Sequence, residues 1–269
     1  MHGNPVPVWK ISLTALVILP DRALTPDTTV INMEILETSQ DFKYSFKTKN
    51  LYLLLLSLQV FDMINFMIVS ELVKKRLIDI DLGVQIAIQF TVVLITNTII
   101  TVFVHRFLKN KLLFSVYLLA MILSLIFSFG TEGPLKSIMT MEQVKVLRLL
   151  GFGFALISNI FIAMLALKDI FSKKHELSYS LIGASSIFLL FGIIFALLYM
   201  LLEVWSPGLI VKSENSNIIH PCLQYSFYVI SGQDPPFENV DLVVRNVSTF
   251  ESIFSYLYGL MVVGRLLTK

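Results

Sequence analysis

The chain has 269 residues, of which 55% are hydrophobic and 15% charged, with a formal net charge of +2 and a mean hydropathy of +0.77. Soluble domains carry about 25% charged residues, so much of this surface faces lipid, and the near-neutral balance points to neither nucleic acid nor an acidic substrate. The single cysteine, Cys222, excludes a disulfide within one chain and a metal–thiolate site, and its expected role is packing.

Residues 1–49 read as a small antiparallel β meander. Asp41–Lys49 alternates, with Phe42, Tyr44 and Phe46 on one face and Lys43, Ser45 and Lys47 on the other. Trp9–Leu19 and Thr28–Glu37 are rich in β-branched and aliphatic residues, and Pro20, Pro26 and Asp27 supply a turn between them. A signal peptide competes, because Leu13–Leu19 is apolar and follows Lys10. The run is short, however, and no small-residue cleavage site follows it.

A bilayer core about 30 Å thick needs roughly 20 apolar residues per helix. Six stretches meet this requirement: Leu51–Ser70, Leu82–Leu108, Leu112–Phe129, Val146–Phe171, Leu181–Trp205 and Phe250–Leu267. The connections around His105–Lys111 and Lys168–His175 are short and basic, and the last residues include Arg265 and Lys269. With these in the cytoplasm, the chain starts inside, crosses six times and ends inside a plasma (inner) membrane. Lys74, Lys75 and Arg76 then lie outside, partly offset by Glu71, Asp79 and Asp81. The basic loops suit anionic lipid headgroups.

Asp62 and Asn65 are the polar residues of the first span. An ionisable group in a membrane faces protein or water, and Lys145 or Arg148 is the candidate partner of Asp62. Leu149–Leu167 in the fourth span carries no charge. A voltage sensor needs several gating charges, so this helix senses none. The domain reading is a 1–49 cytoplasmic β-rich segment, a 50–175 four-helix bundle and a 176–269 module containing the last two spans.

Between the last two spans lies the longest gap, about Ser206–Thr249. It holds Ile218–Ile230, too short to cross and too apolar for an exposed loop, which fits a re-entrant helix. A span, a re-entrant segment and a second span is the plan of a pore module.

Three segments carry a family resemblance. Leu181–Gly208 reads LIGASSIFLLFGIIFALLYMLLEVWSPG, Leu223–Gly232 reads LQYSFYVISG, and Phe250–Leu267 reads FESIFSYLYGLMVVGRLL. In order, they resemble the outer helix, pore helix and inner helix of the bacterial six-transmembrane potassium ion-channel family. Glu251, Leu257, Tyr258, Arg265 and Leu266 match the inner-helix pattern, and the resemblance covers about 90 residues. It implies an all-α membrane fold with six transmembrane helices and a re-entrant pore helix. It also implies a homotetramer acting on inorganic ions. Gln224, Tyr225, Ser226 and Phe227 would belong to the pore helix, and Glu203 would brace the filter region from the outer helix. The competing role for Glu203 is an interfacial one beside Trp205.

Family members place TVGYGD after the pore helix, where backbone carbonyls replace the hydration shell of K⁺. This chain has Val229-Ile-Ser-Gly-Gln-Asp-Pro-Pro236 instead. One glycine remains, and the two prolines fix φ and remove two amide donors. Stacked rings of filter carbonyls do not follow from this string, so K⁺ selectivity is not expected. Ser231, Gly232, Gln233 and Asp234 are the filter-loop candidates. Asp234 would form an acidic ring in a tetramer, or alternatively cap the turn before Pro235. Glu238 and Asp241 read as solvated loop residues.

Glu251 is expected in the first turn of the last helix, with Ser248 or Thr249 as N-cap. Tyr258, Met261 and Arg265, at spacings of three and four, are expected to share a face that lines the inner pore. The alternative for Arg265 is snorkelling to headgroups. Asn246-Val-Ser248 matches a glycosylation sequon by chance, and His105 and His175 have no metal spacing. No Walker loop, zinc motif or nucleophile elbow is present, so neither an enzyme nor a cofactor is expected. The functional expectation is a tetrameric potassium-channel-like pore protein with a degenerate filter, neither K⁺-selective nor voltage-gated. Its alternative is a non-conducting scaffold or sensor subunit that binds a protein partner through residues 1–49. A small-molecule transporter is a weaker third reading.

Overall fold

The computed structural model of the chain describes residues 50–64, 82–108, 110–132, 138–172, 177–210, 218–235, 237 and 240–267. The expected meander, Asn65, the loop 71–81, Pro236 and Glu238 lie outside them. The described residues form helices with no strand among them. In chain order these are α1 (Asn50–Ile64), α2 (Leu82–Phe107), α3 (Lys111–Glu132), α4 (Met141–Ser172), α5 (Leu177–Trp205), α6 (Ile219–Ile230) and α7 (Leu242–Leu267).

Three of these, Met141–Phe171, Leu177–Trp205 and Leu242–Arg265, are long and apolar enough to cross a membrane. Asn50–Ile64, Thr91–Phe107 and Lys111–Phe127 are shorter apolar helices. The outward face of α3, with Leu112, Val116, Leu119 and Ile126, is apolar and exposed, as suits contact with lipid rather than water. The chain is a helical protein of multi-pass membrane character.

Helix starts follow local chemistry. Asn110 Oδ1 accepts the Leu112 amide at 2.9 Å to cap α3. Thr140 and Gln143 form a capping box at the start of α4: the Thr140 amide donates to Gln143 Oε1 and the Gln143 amide to Thr140 Oγ1. The last helix starts eight residues before the expected Phe250. Asp241 Oδ1 accepts the Val243 amide at 2.9 Å, an N-cap that a loop reading of Asp241 hides. Ser248 and Thr249 instead bond back to the Arg245 carbonyl. Glu251 is therefore not in the first turn but more than two turns inside α7.

α5 is the hub. It packs along α4 on one side and α6 on the other, and also touches α7. The α4 N-terminus sits beside the α5 C-terminus, where Lys145 Nζ donates to the Trp205 carbonyl at 3.1 Å. At the opposite end, Tyr179 donates to Asp169 and the Tyr52 hydroxyl lies 3.4 Å from the same Asp169 oxygen. Tyr52 also meets the edges of Phe103 and Tyr179 at 5.1 and 5.4 Å. α7 runs antiparallel to α5, so Arg265, Lys168, His105 and Arg106 gather toward one end of the bundle. This fits basic residues sharing one side of a membrane.

Candidate pore module and bundle cavity

α6 is about 18 Å long by its 12 residues. It begins beside the C-terminal part of α5 and ends halfway along it. Ser226 reaches the Gly192 carbonyl at 2.8 Å. Beyond α6 the chain turns back, with Phe237 beside the Tyr225 ring at 5.7 Å and the Asp241 amide facing the Leu209 carbonyl at 3.4 Å. The segment thus dips to mid-length of α5 and returns to the end from which it came.

Two glutamates hold this segment. Glu203 is 4% exposed. Its Oε1 accepts the Gly208 amide at 2.7 Å and its Oε2 the Ile210 amide at 2.8 Å. Gly208 adopts φ +92°, a left-handed turn that favours glycine and folds the Ser-Pro-Gly corner over the carboxylate. Glu203 is expected to brace the filter region, but its carboxylate bonds to the loop leaving α5, at Gly208 and Ile210. Glu251 is fully buried. It ties three elements: Tyr199 of α5 donates to its Oε2 at 2.7 Å and Ser226 of α6 approaches its Oε1 at 2.5 Å. Its carboxyl group joins α7 to α5 and α6.

The end of α6 is closed by a Schellman motif. Gly232 sits at φ +73°, its amide donates to the Val229 carbonyl at 3.0 Å and the Gln233 amide donates to the Tyr228 carbonyl at 2.9 Å. The Ser231 amide takes the Phe227 carbonyl, and Ser255 of α7 donates to the Ile230 carbonyl at 2.8 Å. All four terminal carbonyls of α6 accept protein donors. The one glycine in the expected filter string ends a helix. Ser231, Gly232, Gln233 and Asp234 follow it and are exposed.

Of the other candidates, Tyr225 is buried against Tyr199 at 5.0 Å, Gln224 is half-buried, and Phe227 lies on Gly192. A Cβ at Gly192 would meet Phe227 Cε1 at 2.8 Å and Cζ at 3.0 Å. Glycine there lets α6 approach α5. We expect Gly192→Val to cost about 2 kcal/mol by overpacking, read by denaturant unfolding in detergent, with Phe227→Ala recovering part of the loss in the double variant.

Tyr258 is buried and donates to the Ala184 carbonyl of α5 at 2.8 Å, with its ring edge on Phe191 at 5.4 Å. It therefore does not share an exposed face with Met261, which is 51% exposed. Val244, Glu251 and Tyr258 are buried and Arg265 half-buried. They recur every seventh residue and form the stripe by which α7 meets its own chain. Only 11% of the apolar window of α7 is buried, against 61% for α5, so most of α7 is uncovered. Thr249, Ser252, Tyr256 and Gly259 form an exposed polar and small-residue stripe at the same alternation of three and four.

Lys145, one of the two expected partners of Asp62, bonds to the Trp205 carbonyl, and Asp62 bonds to α2. Its Oδ2 and Oδ1 accept from the Thr96 hydroxyl of α2 at 2.9 and 3.2 Å. Lys145 instead caps α5. Both Asp62 and Thr96 line a cavity of about 310 Å³ between the first four helices, α5 and α6. Thr96, Ser158 and Asn159 carry no signature in the sequence, because isolated polar residues on separate apolar helices meet only through packing.

Comparison of the chain with family models, curated proteins and solved structures finds no match.

Proposed function

We propose that this chain is a subunit of a homotetrameric, potassium-channel-like membrane pore protein with a degenerate filter. The observation that carries the reading is the arrangement of α5, α6 and α7: a short helix that dips between two long ones, with α7 left largely uncovered. In this reading α6 is a re-entrant pore helix. The first four helices complete six spans, and both termini face the cytoplasm of a plasma membrane. The uncovered face of α7 meets neighbouring subunits, and the stripe of Thr249, Ser252, Tyr256 and Gly259 lines the ion path. Met261 and Arg265 lie nearer its inner end.

The occupied carbonyls at the end of α6 argue against K⁺ selectivity, because a filter must offer free carbonyl oxygens in place of water. Inorganic ions would then pass with much of their hydration, attracted by the exposed Asp234 side chains. The charge-free middle of α4 argues against voltage gating. The same occupied carbonyls favour one alternative, a non-conducting scaffold whose partner binds residues 1–49.

Purified protein in planar bilayers, with KCl on one side and NaCl on the other, tests the proposal. The expected result is single-channel steps that reverse near zero and keep the same open probability across voltages. Asp234→Asn should lower cation preference several-fold. Verified tetramers that pass no ion would sink the pore reading and leave the scaffold.

A further inference from the structure

The cavity between the first four helices and α5–α6 lies away from the α7 stripe and has its own chemistry. Its volume, about 310 Å³, is within the range of small-molecule sites, roughly 300–1,000 Å³. Its walls are mostly apolar, with Met63, Leu190 and Phe227 among them. One carboxylate, Asp62, lies in the lining, and no lysine, arginine or histidine does among the described residues.

The Asp62 carboxylate has acceptor capacity to spare. A carboxylate offers about four lone-pair sites, and Asp62 receives one hydroxyl proton, from Thr96, shared between its two oxygens. Asn97 and Asn159 also line the cavity. Each spends one amide N–H on its own helix, at the Val93 and Ala155 carbonyls, which leaves its Oδ1 as an acceptor and its second N–H as a donor. Ser158 is 6% exposed, lines the cavity, and its Oγ has no hydrogen-bond partner among the described residues. A buried hydroxyl without a partner costs about 1–3 kcal/mol, so the Ser158 hydroxyl favours a ligand with a polar group at that wall.

We infer that this cavity binds a lipophilic primary amine as its ammonium ion. The ammonium group brings one positive charge and three N–H donors, which match Asp62 and the asparagine oxygens. An apolar body of aromatic or branched aliphatic character fills the space against Met63, Leu190 and Phe227. A metal ion is disfavoured by the chemistry: no group of three or more acidic, histidine or cysteine side chains comes together among the described residues. An anion would meet Asp62 with no basic residue to offset it. The inference does not depend on conduction, because binding is read directly.

The test uses the full chain purified in nanodiscs, with phenethylamine as the probe, phenethyl alcohol as its neutral counterpart and phenylacetate as the anion. The expected result is saturable binding of the amine by calorimetry, at least tenfold tighter than the alcohol, with no binding of phenylacetate. Asp62→Asn should weaken the amine at least tenfold and leave the alcohol unchanged. Ser158→Leu, which fills the cavity without touching the charge, should abolish both, and it decides the matter if Asp62→Asn does not fold. Equal binding of amine and alcohol, or amine affinity unmoved by Ser158→Leu, would overturn the inference. So would native mass spectrometry showing a co-purified phospholipid that excludes the amine and is lost in Ser158→Leu.

Discussion

Glu203→Gln is expected to destabilise the protein almost as much as Glu203→Ala, by about 3 kcal/mol. Both carboxylate oxygens accept backbone N–H groups, from Gly208 and Ile210, and a hydrogen bond to a charged group contributes about 1.5–3 kcal/mol. An amide has one acceptor oxygen and two N–H donors. Whichever way the glutamine lies, its NH₂ faces a backbone N–H, and backbone amides cannot rotate to become acceptors. The Ile210 amide is buried, so water does not readily replace the lost oxygen. The measurement is unfolding in mixed micelles by titrated SDS, with proteolysis near 206–210 as a local readout. Wild-type stability of Glu203→Gln would mean that only one of the two bonds matters.

The contrast between Glu203 and the rest of the module shows what the sequence made legible. A glutamate near the end of a long apolar run, followed by Ser-Pro-Gly, is a local pattern, and its carboxylate reaches amides only five and seven residues on. The helices α2–α6 likewise fall close to where apolar length places them. The start of α7 does not. Arg245, Asn246, Ser248 and Thr249 look like loop, and only the Asp241 cap and the burial of Val244 carry the helix back to Leu242. Facing was also beyond spacing alone. Tyr258 and Met261 are three residues apart, about 300° around a helix, yet the α5 surface takes one and leaves the other. The cavity was least legible, since Asp62, Thr96, Ser158 and Asn159 come together only through packing.

Glu251→Gln, by the opposite logic, is expected to stay within about 1 kcal/mol of the parent chain, while Glu251→Leu loses about 2–4 kcal/mol. Its partners are hydroxyls, which rotate and serve as donor or acceptor. Ser226 Oγ has one hydrogen but two acceptors in reach, Glu251 Oε1 at 2.5 Å and the Gly192 carbonyl at 2.8 Å. With glutamine, one N–H donates to Ser226 Oγ, Ser226 donates to the Gly192 carbonyl, and Tyr199 donates to the remaining oxygen, so each existing bond keeps a partner and one N–H alone is left over. With leucine, the fully buried Tyr199 hydroxyl has no acceptor, and the link from α7 to α5 and α6 is lost. Tyr199→Phe combined with Glu251→Leu should then recover much of the loss, because removing both partners of a buried bond costs less than stranding one. Thermal unfolding of the four chains (parent, two singles and the double) gives the coupling energy. A strictly additive double variant would show that Tyr199 and Glu251 do not act as a pair. Severe loss in Glu251→Gln would show that charge, rather than hydrogen-bond geometry, holds the three helices together.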